Sequence, residues 1–89
     1  MDFGEAIRAL KAGRKVSREG WNGRGMWLIY KKGYTDGVPA NKSMSEAAGI
    51  PEGTVVKILP YLMMKTATGE YVPWLASQTD VLAEDWSVV

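Results

Sequence analysis

Two tryptophans in this sequence stand where a ligand could reach them. Trp21 lies between Gly20 and Asn22, and Trp74 follows Pro73 and precedes Ser77 by three positions. Each stands at a strand end beside a turn, next to small or polar residues, and loops on a rigid scaffold are where sites are built. An exposed indole there is a stacking platform for a planar base, worth roughly 1–3 kcal/mol. The neighbouring polar residues suit a nucleotide. Asn22 both donates and accepts, as a base edge requires. The glycines at 20, 23 and 25 let backbone N–H groups approach an anion, and Arg18 and Arg24 are guanidinium donors for phosphate. Ser77 opens a short helix whose N-terminus is a second point for an anion. Gln78, Thr79 and Asp80 follow it and suit ribose hydroxyls. Each residue also has a plainer role: an indole packs, a glycine-rich turn merely turns, and an acidic residue at a helix start answers the macrodipole. Trp27 and Trp86 fall inside strands and are assigned to the core.

Composition narrows the chemistry. The chain has 89 residues, with neither His nor Cys. That removes the Ser-His-Asp triad, the Cys-His pair, the thiolate nucleophile and any zinc site built on those ligands. Acid–base catalysis would fall to tuned Asp, Glu, Lys or Tyr groups. The expectation is therefore a binding protein, not an enzyme, with no cofactor and no metal. No apolar run approaches the roughly 18–20 residues of a membrane span, and the mixed N-terminal residues are unlike a signal peptide. These features predict one cytoplasmic domain, 1–89, with no membrane partner. Charge is uneven along the chain: residues 1–45 hold nine Lys/Arg and four Asp/Glu, whereas residues 46–89 hold two and six. A basic half suits nucleic acid, but its cations are scattered, which favours two halves that complement each other.

The elements that must position these residues follow from periodicity. Residues 2–12 read as a helix: Asp2 and Glu5 have capping-box spacing, and Phe3, Ala6, Ile7 and Leu10 form one stripe. Gly13 ends it. Residues 15–18 read as a strand, with Asn22-Gly23 signalling a hairpin into a second strand at 26–30. Met26, Leu28 and Tyr30 share one face of that strand, Trp27 and Ile29 the other, so it is central and covered on both sides, one side by another protomer. Residues 32–53 read as a long irregular connection holding a short helix from Ser43 to Ala48. Strands follow at 54–58, 61–66 and 70–72, the last two joined at Thr68-Gly69. Ser77 caps a short helix, and residues 85–89 form a terminal strand. The fold class is α+β: a small, mostly antiparallel sheet of four to five strands, the N-terminal helix on one face, and a short C-terminal helix.

Two runs carry a family resemblance. Gly20-Trp21-Asn22-Gly23-Arg24-Gly25-Met26 and the run from Tyr71 to Trp86 are similar to a small phage and prophage domain family that includes Thoeris anti-defence proteins of the second type. The stretches Ile50–Thr54 and Pro60–Thr66 resemble it too, so the likeness spans nearly the whole chain. Thr68-Gly69 stands where relatives often have Asp-Gly. The resemblance implies a sponge that binds a cyclic ADP-ribose isomer made by a TIR-domain sensor (glycocyclic ADP-ribose) and holds it uncleaved in the host bacterial cytosol. It also implies a homotetramer with pockets at protomer interfaces, and uptake of cyclic dinucleotides by some members. The ligand-binding residues it suggests are Trp21, Asn22, Trp74, Gln78, Thr79 and Asp80, with Arg24 added here as a phosphate contact. The competing readings are a nucleic-acid-binding module, a hydrolase of the signal using Asp80, Glu84 or Asp85, and a protein-interaction module. Nucleic acid is the less favoured partner.

Overall fold

The computed structural model describes residues 1–21 and 24–89. The elements run α1 (Phe3–Lys11), β1 (Val16–Arg18), β2 (Trp27–Lys31), β3 (Tyr34–Pro39), α2 (Lys42–Ala48), β4 (Val55–Ile58), β5 (Tyr61–Lys65), β6 (Tyr71–Pro73), α3 (Gln78–Leu82) and β7 (Trp86–Val88). Five strands form one antiparallel sheet in the order β6-β5-β2-β1-β7, and β3 and β4 pair as a separate two-stranded sheet. The α+β architecture is as the sequence predicts.

Local chemistry explains the boundaries. The Asp2 carboxylate accepts the Glu5 N–H at 2.8 Å, and Glu5 accepts the Asp2 N–H at 3.1 Å, so α1 opens on a complete capping box. Its stripe delivers Ala6 and Leu10 to a core completed by Val16, Leu28 and Trp86. Phe3, Ile7, Trp21, Tyr30, Met64 and Trp74 close around that core, partly buried. β7 lies at the edge of the sheet and is paired to β1 through Val16–Val88, Ser17–Ser87 and Arg18–Trp86. Trp86 is 2% exposed, as its core assignment requires.

Trp27 departs from the expectation. β2 is the central strand, but register places Trp27 beside Lys65, on the face opposite Leu28. Side chains alternate along a strand, so Leu28 takes the α1 side and Trp27 the other. There it is half-buried, edge-on to Tyr71 at 5.9 Å between ring centroids, and outside the core. Among the described residues no helix covers that second face.

The connection 32–53 also departs: it contains β3. Its Tyr-Thr-Asp-Gly-Val-Pro sequence reads as loop because Gly37 sits in a register irregularity, at φ 106°, with Val55 packed against the place a side chain would occupy. Gly33 starts the segment at φ 67°, where a Cβ would collide with the carbonyl oxygens of Ile58 and Leu59. The helix forms, but its cap is Asn41, accepting the Met44 N–H at 2.8 Å, in place of Ser43. Asn41 stands three residues before Met44, the same geometry two residues earlier than the Ser43–Glu46 spacing suggests. β3 and β4 pack on each other, α2 lines a groove beside them, and all three scarcely touch the main sheet, forming an arm on a molecule of 44 × 26 × 22 Å. The Asn22-Gly23 turn lies outside the described residues, although the strands it would join are antiparallel neighbours.

Candidate functional site

The candidate site grows from the end of β1. Arg18 leaves the strand and meets two carboxylates of the C-terminal segment. Its Nη1 donates to Asp80 Oδ1 at 2.8 Å, and its Nε donates to Asp85 Oδ1 at 2.8 Å. Arg18 and Asp80 side chains are only 14% and 13% exposed. Asp85 also accepts the Gly20 N–H at 2.7 Å. One guanidinium thus ties β1, the Gly20 turn, α3 and the approach to β7 together.

Asp80 is the hub. Its Oδ1 accepts the indole N–H of Trp21 at 3.1 Å, and its Oδ2 accepts the Ser77 hydroxyl at 2.9 Å. Its backbone carbonyl accepts the indole N–H of Trp86 at 3.0 Å. Burial alone would raise the Asp80 carboxyl, but the hydrogen bonds from Arg18, Trp21 and Ser77 outweigh it and hold the group below the ordinary carboxylate range. The Asp85 carboxyl is lowered chiefly by the Arg18 hydrogen bond, with help from the Gly20 N–H. The Arg18 guanidinium is raised by Asp85 and then Asp80.

The indoles pack as a cluster. Trp21 meets Trp86 edge-to-face at 5.3 Å and 82°, Trp74 meets Trp86 at 6.0 Å and 83°, and Trp21 and Trp74 are 6.4 Å apart at 65°. Phe3 closes the cluster against Trp74 and Trp86. Edge-to-face packing with engaged N–H groups fixes ring orientation. Trp21 and Trp74 keep part of their surface open while their inner edges pack on the core.

The structure therefore brings Trp21, Trp74 and Asp80 together. Gln78 and Thr79 are exposed on the first turn of α3, at the rim of this cluster. That helix has five residues, and its Asp80 N–H is already taken by the Ser77 hydroxyl at 3.1 Å, so its N-terminus is closed by its own capping box. Arg24 is exposed in the turn before β2, next to Gly25, whose carbonyl accepts the Lys65 ammonium at 2.9 Å. It does not join the Asp80 cluster. Asn22 lies outside the described residues.

Arg18 is the correction at this site. Read as a phosphate donor, it is instead neutralised by two carboxylates. Its partners were visible as the acidic excess of residues 46–89 facing a basic first half, and complementation of the halves is what the pair realises. Asp85 as a clamp residue was missed, since a carboxylate five positions past another carries no signature of its own.

Comparison with known proteins decides the family. The family model described as the Thoeris anti-defense 2-like domain matches residues 1–89. The chain belongs to that family. It is also 40% identical, over 89 residues, to the protein named Thoeris anti-defense 2 of Bacillus phage SP01, covering 100% of this chain and 94% of that relative. Membership in the Thoeris anti-defense 2-like family gives the chain an anti-defence role. Both runs that carried the resemblance, around Trp21 and from Tyr71 to Trp86, fall within the matched span, and both contribute indoles to the Asp80 cluster.

Proposed function

We propose that this chain disarms Thoeris defence by sequestering its nucleotide signal, a TIR-made cyclic ADP-ribose isomer such as glycocyclic ADP-ribose, and releasing it unchanged. The supporting observation is the convergence of Trp21 with Trp74 and Asp80, from opposite ends of the sequence, on one locked cluster whose rim carries Gln78 and Thr79. A ring pair held from behind by Trp86 loses little freedom on stacking a base, and preorganisation of that kind favours tight binding. Arg24, exposed in the turn before β2, would offer its guanidinium to phosphate.

Sequestration fits the carboxylates better than hydrolysis does. Asp80 and Asp85 are both held ionised against Arg18, so neither is a proton donor near neutral pH. Neither is free to act as a base, because their oxygens are occupied by Arg18, Trp21, Ser77 and Gly20. Sponge action needs affinity alone. Against a micromolar signal, a nanomolar Kd of about −12 kcal/mol removes nearly all of it.

The acting form is a homo-oligomer in the host bacterial cytosol, a tetramer with ligand recesses completed between protomers. Its support is shape. The radius of gyration is 15.4 Å, against about 12 Å for a compact chain of this length. The arm that lengthens it exposes Tyr34 and Val55 at 57% and 68%. A groove between α2 and the β3–β4 sheet, lined by Tyr34, Val38, Met44 and Val56, offers a further apolar contact. The test is to load the protein with the cyclic signal, wash, heat-denature, and identify the released nucleotide by mass spectrometry. Intact ligand is the expected result. A linear or hydrolysed product would make the protein an enzyme.

A further inference from the structure

The uncovered face of the five-stranded sheet has a composition that the Asp80 cluster does not explain. Register sets three side chains across it in one row: Tyr71 on β6, Lys65 on β5 and Trp27 on β2. Lys15 and Lys65 bring their ammonium groups to 4.8 and 5.8 Å from the Trp27 ring centroid. Two positions further along β2 and β5 from a middle row of Ile29 and Met63, Lys31 stands beside Tyr61. The face therefore alternates cations with aromatic rings. Among the described residues the only ion pairs are those of Arg18, so these three lysines have no carboxylate partner. Glu70, five positions after Lys65, instead accepts from the Thr66 and Thr68 hydroxyls. No strand position on this face is acidic.

We infer that this face binds single-stranded nucleic acid, with lysines 15, 31 and 65 tracking phosphates and Trp27, Tyr61 and Tyr71 offering rings to successive bases. Three observations select that partner. Unpaired cations on an apolar sheet face call for a polyanion with flat apolar parts. The cations are spread along the length of β2, which suits a strand more than a compact ligand. A second copy laid on this face about a two-fold axis would set lysines against lysines, which like-charge repulsion disfavours. Tyr71 is 56% exposed and ready to stack, and Lys65 is steadied by the Gly25 carbonyl. The surface lies opposite the Trp21–Trp74 cluster, so it acts independently of the sponge reading.

The test is fluorescence anisotropy with labelled oligothymidylate and oligouridylate of about 12 nucleotides, within the site sizes of sheet-based binders. Binding is expected to weaken with salt, with a log–log slope of about −2 for three phosphate contacts. Lys15→Glu with Lys65→Glu should reduce affinity at least tenfold and flatten that slope. Lys15→Gln with Lys65→Gln should do so more mildly, and Trp27→Ala should weaken binding about fivefold. Both lysine pairs should keep the wild-type circular dichroism spectrum and still take up the cyclic signal, which separates this inference from the sponge reading. A difference between the two oligomers identifies the natural strand as DNA or RNA. The inference is overturned if neither oligomer binds, if the lysine variants bind as wild type, or if adenosine monophosphate competes as well as the oligomers. It is equally overturned if sedimentation shows the lysine variants changing only the number of subunits.

Discussion

Trp21 donates its indole N–H to Asp80 and offers the outer part of its ring to solvent, so one side chain is a structural support and, in the proposed function, a stacking surface. Replacing it separates the two. Trp21→Ala should lower affinity for the cyclic signal at least tenfold in calorimetry while the far-ultraviolet spectrum persists. Trp21→Phe should retain more of the affinity, since it loses the N–H but keeps a ring. The Arg18 clamp makes a pH prediction. The Asp80 and Asp85 carboxyls are lowered in the folded protein, Asp80 despite its burial and Asp85 by the Arg18 hydrogen bond. A lowered carboxyl contributes stability above its unfolded value of about 3.9, and that contribution is lost as pH falls through the folded value. Thermal melts should therefore change little from neutral to about pH 5 and fall steeply below about pH 4. Arg18→Gln should lower the melting temperature at neutral pH by several degrees and flatten the acid limb. A melting temperature in Arg18→Gln with the same acid dependence as wild type would remove the clamp from the account.

At the scale of elements, the caps and the core stripe carry the predictions. Asp2→Ala removes half of the α1 capping box and should cost about 1 kcal/mol, read as a drop of about 4–8 °C in melting temperature. Leu28→Ala, at the centre of the core, should cost about 2–5 kcal/mol in denaturant melts, a large share of what so small a domain holds. Most of this architecture was legible. α1 had spacing and a cap, β5 and β6 had a Thr-Gly turn, and α3 had Ser77 with Asp80 at the third position. What was not legible has physical causes. β3 was hidden because its glycine and proline belong to an irregular edge pairing that mimics loop composition. Trp27 was assigned to the core because both faces of β2 are apolar, and alternation alone cannot say which face meets α1. At the site, Trp21, Trp74 and Asp80 were legible as residue types beside turns. Their mutual contact was not, because it depends on β7 pairing with β1 across most of the chain length.

The whole molecule is two parts of unequal character: a sheet with one covered face, and an arm that packs on itself. The arm has little reason to extend from a solitary chain, because its groove and the exposed Leu59 and Val55 face water there. Assembly through the arm would leave the cationic sheet face free. Sedimentation equilibrium should give a mass near four times 9.8 kDa. Val55→Asp, at an exposed arm position, should shift it to smaller species while leaving the helical spectrum unchanged. The measurement that bears most directly on the central claim is calorimetric titration of the folded oligomer with purified cyclic ADP-ribose isomer. Saturable uptake with a nanomolar Kd, weakened at least tenfold in Trp21→Ala, is the expected result. Absence of binding heat at micromolar protein and excess ligand, confirmed by no retained nucleotide after gel filtration, would contradict it.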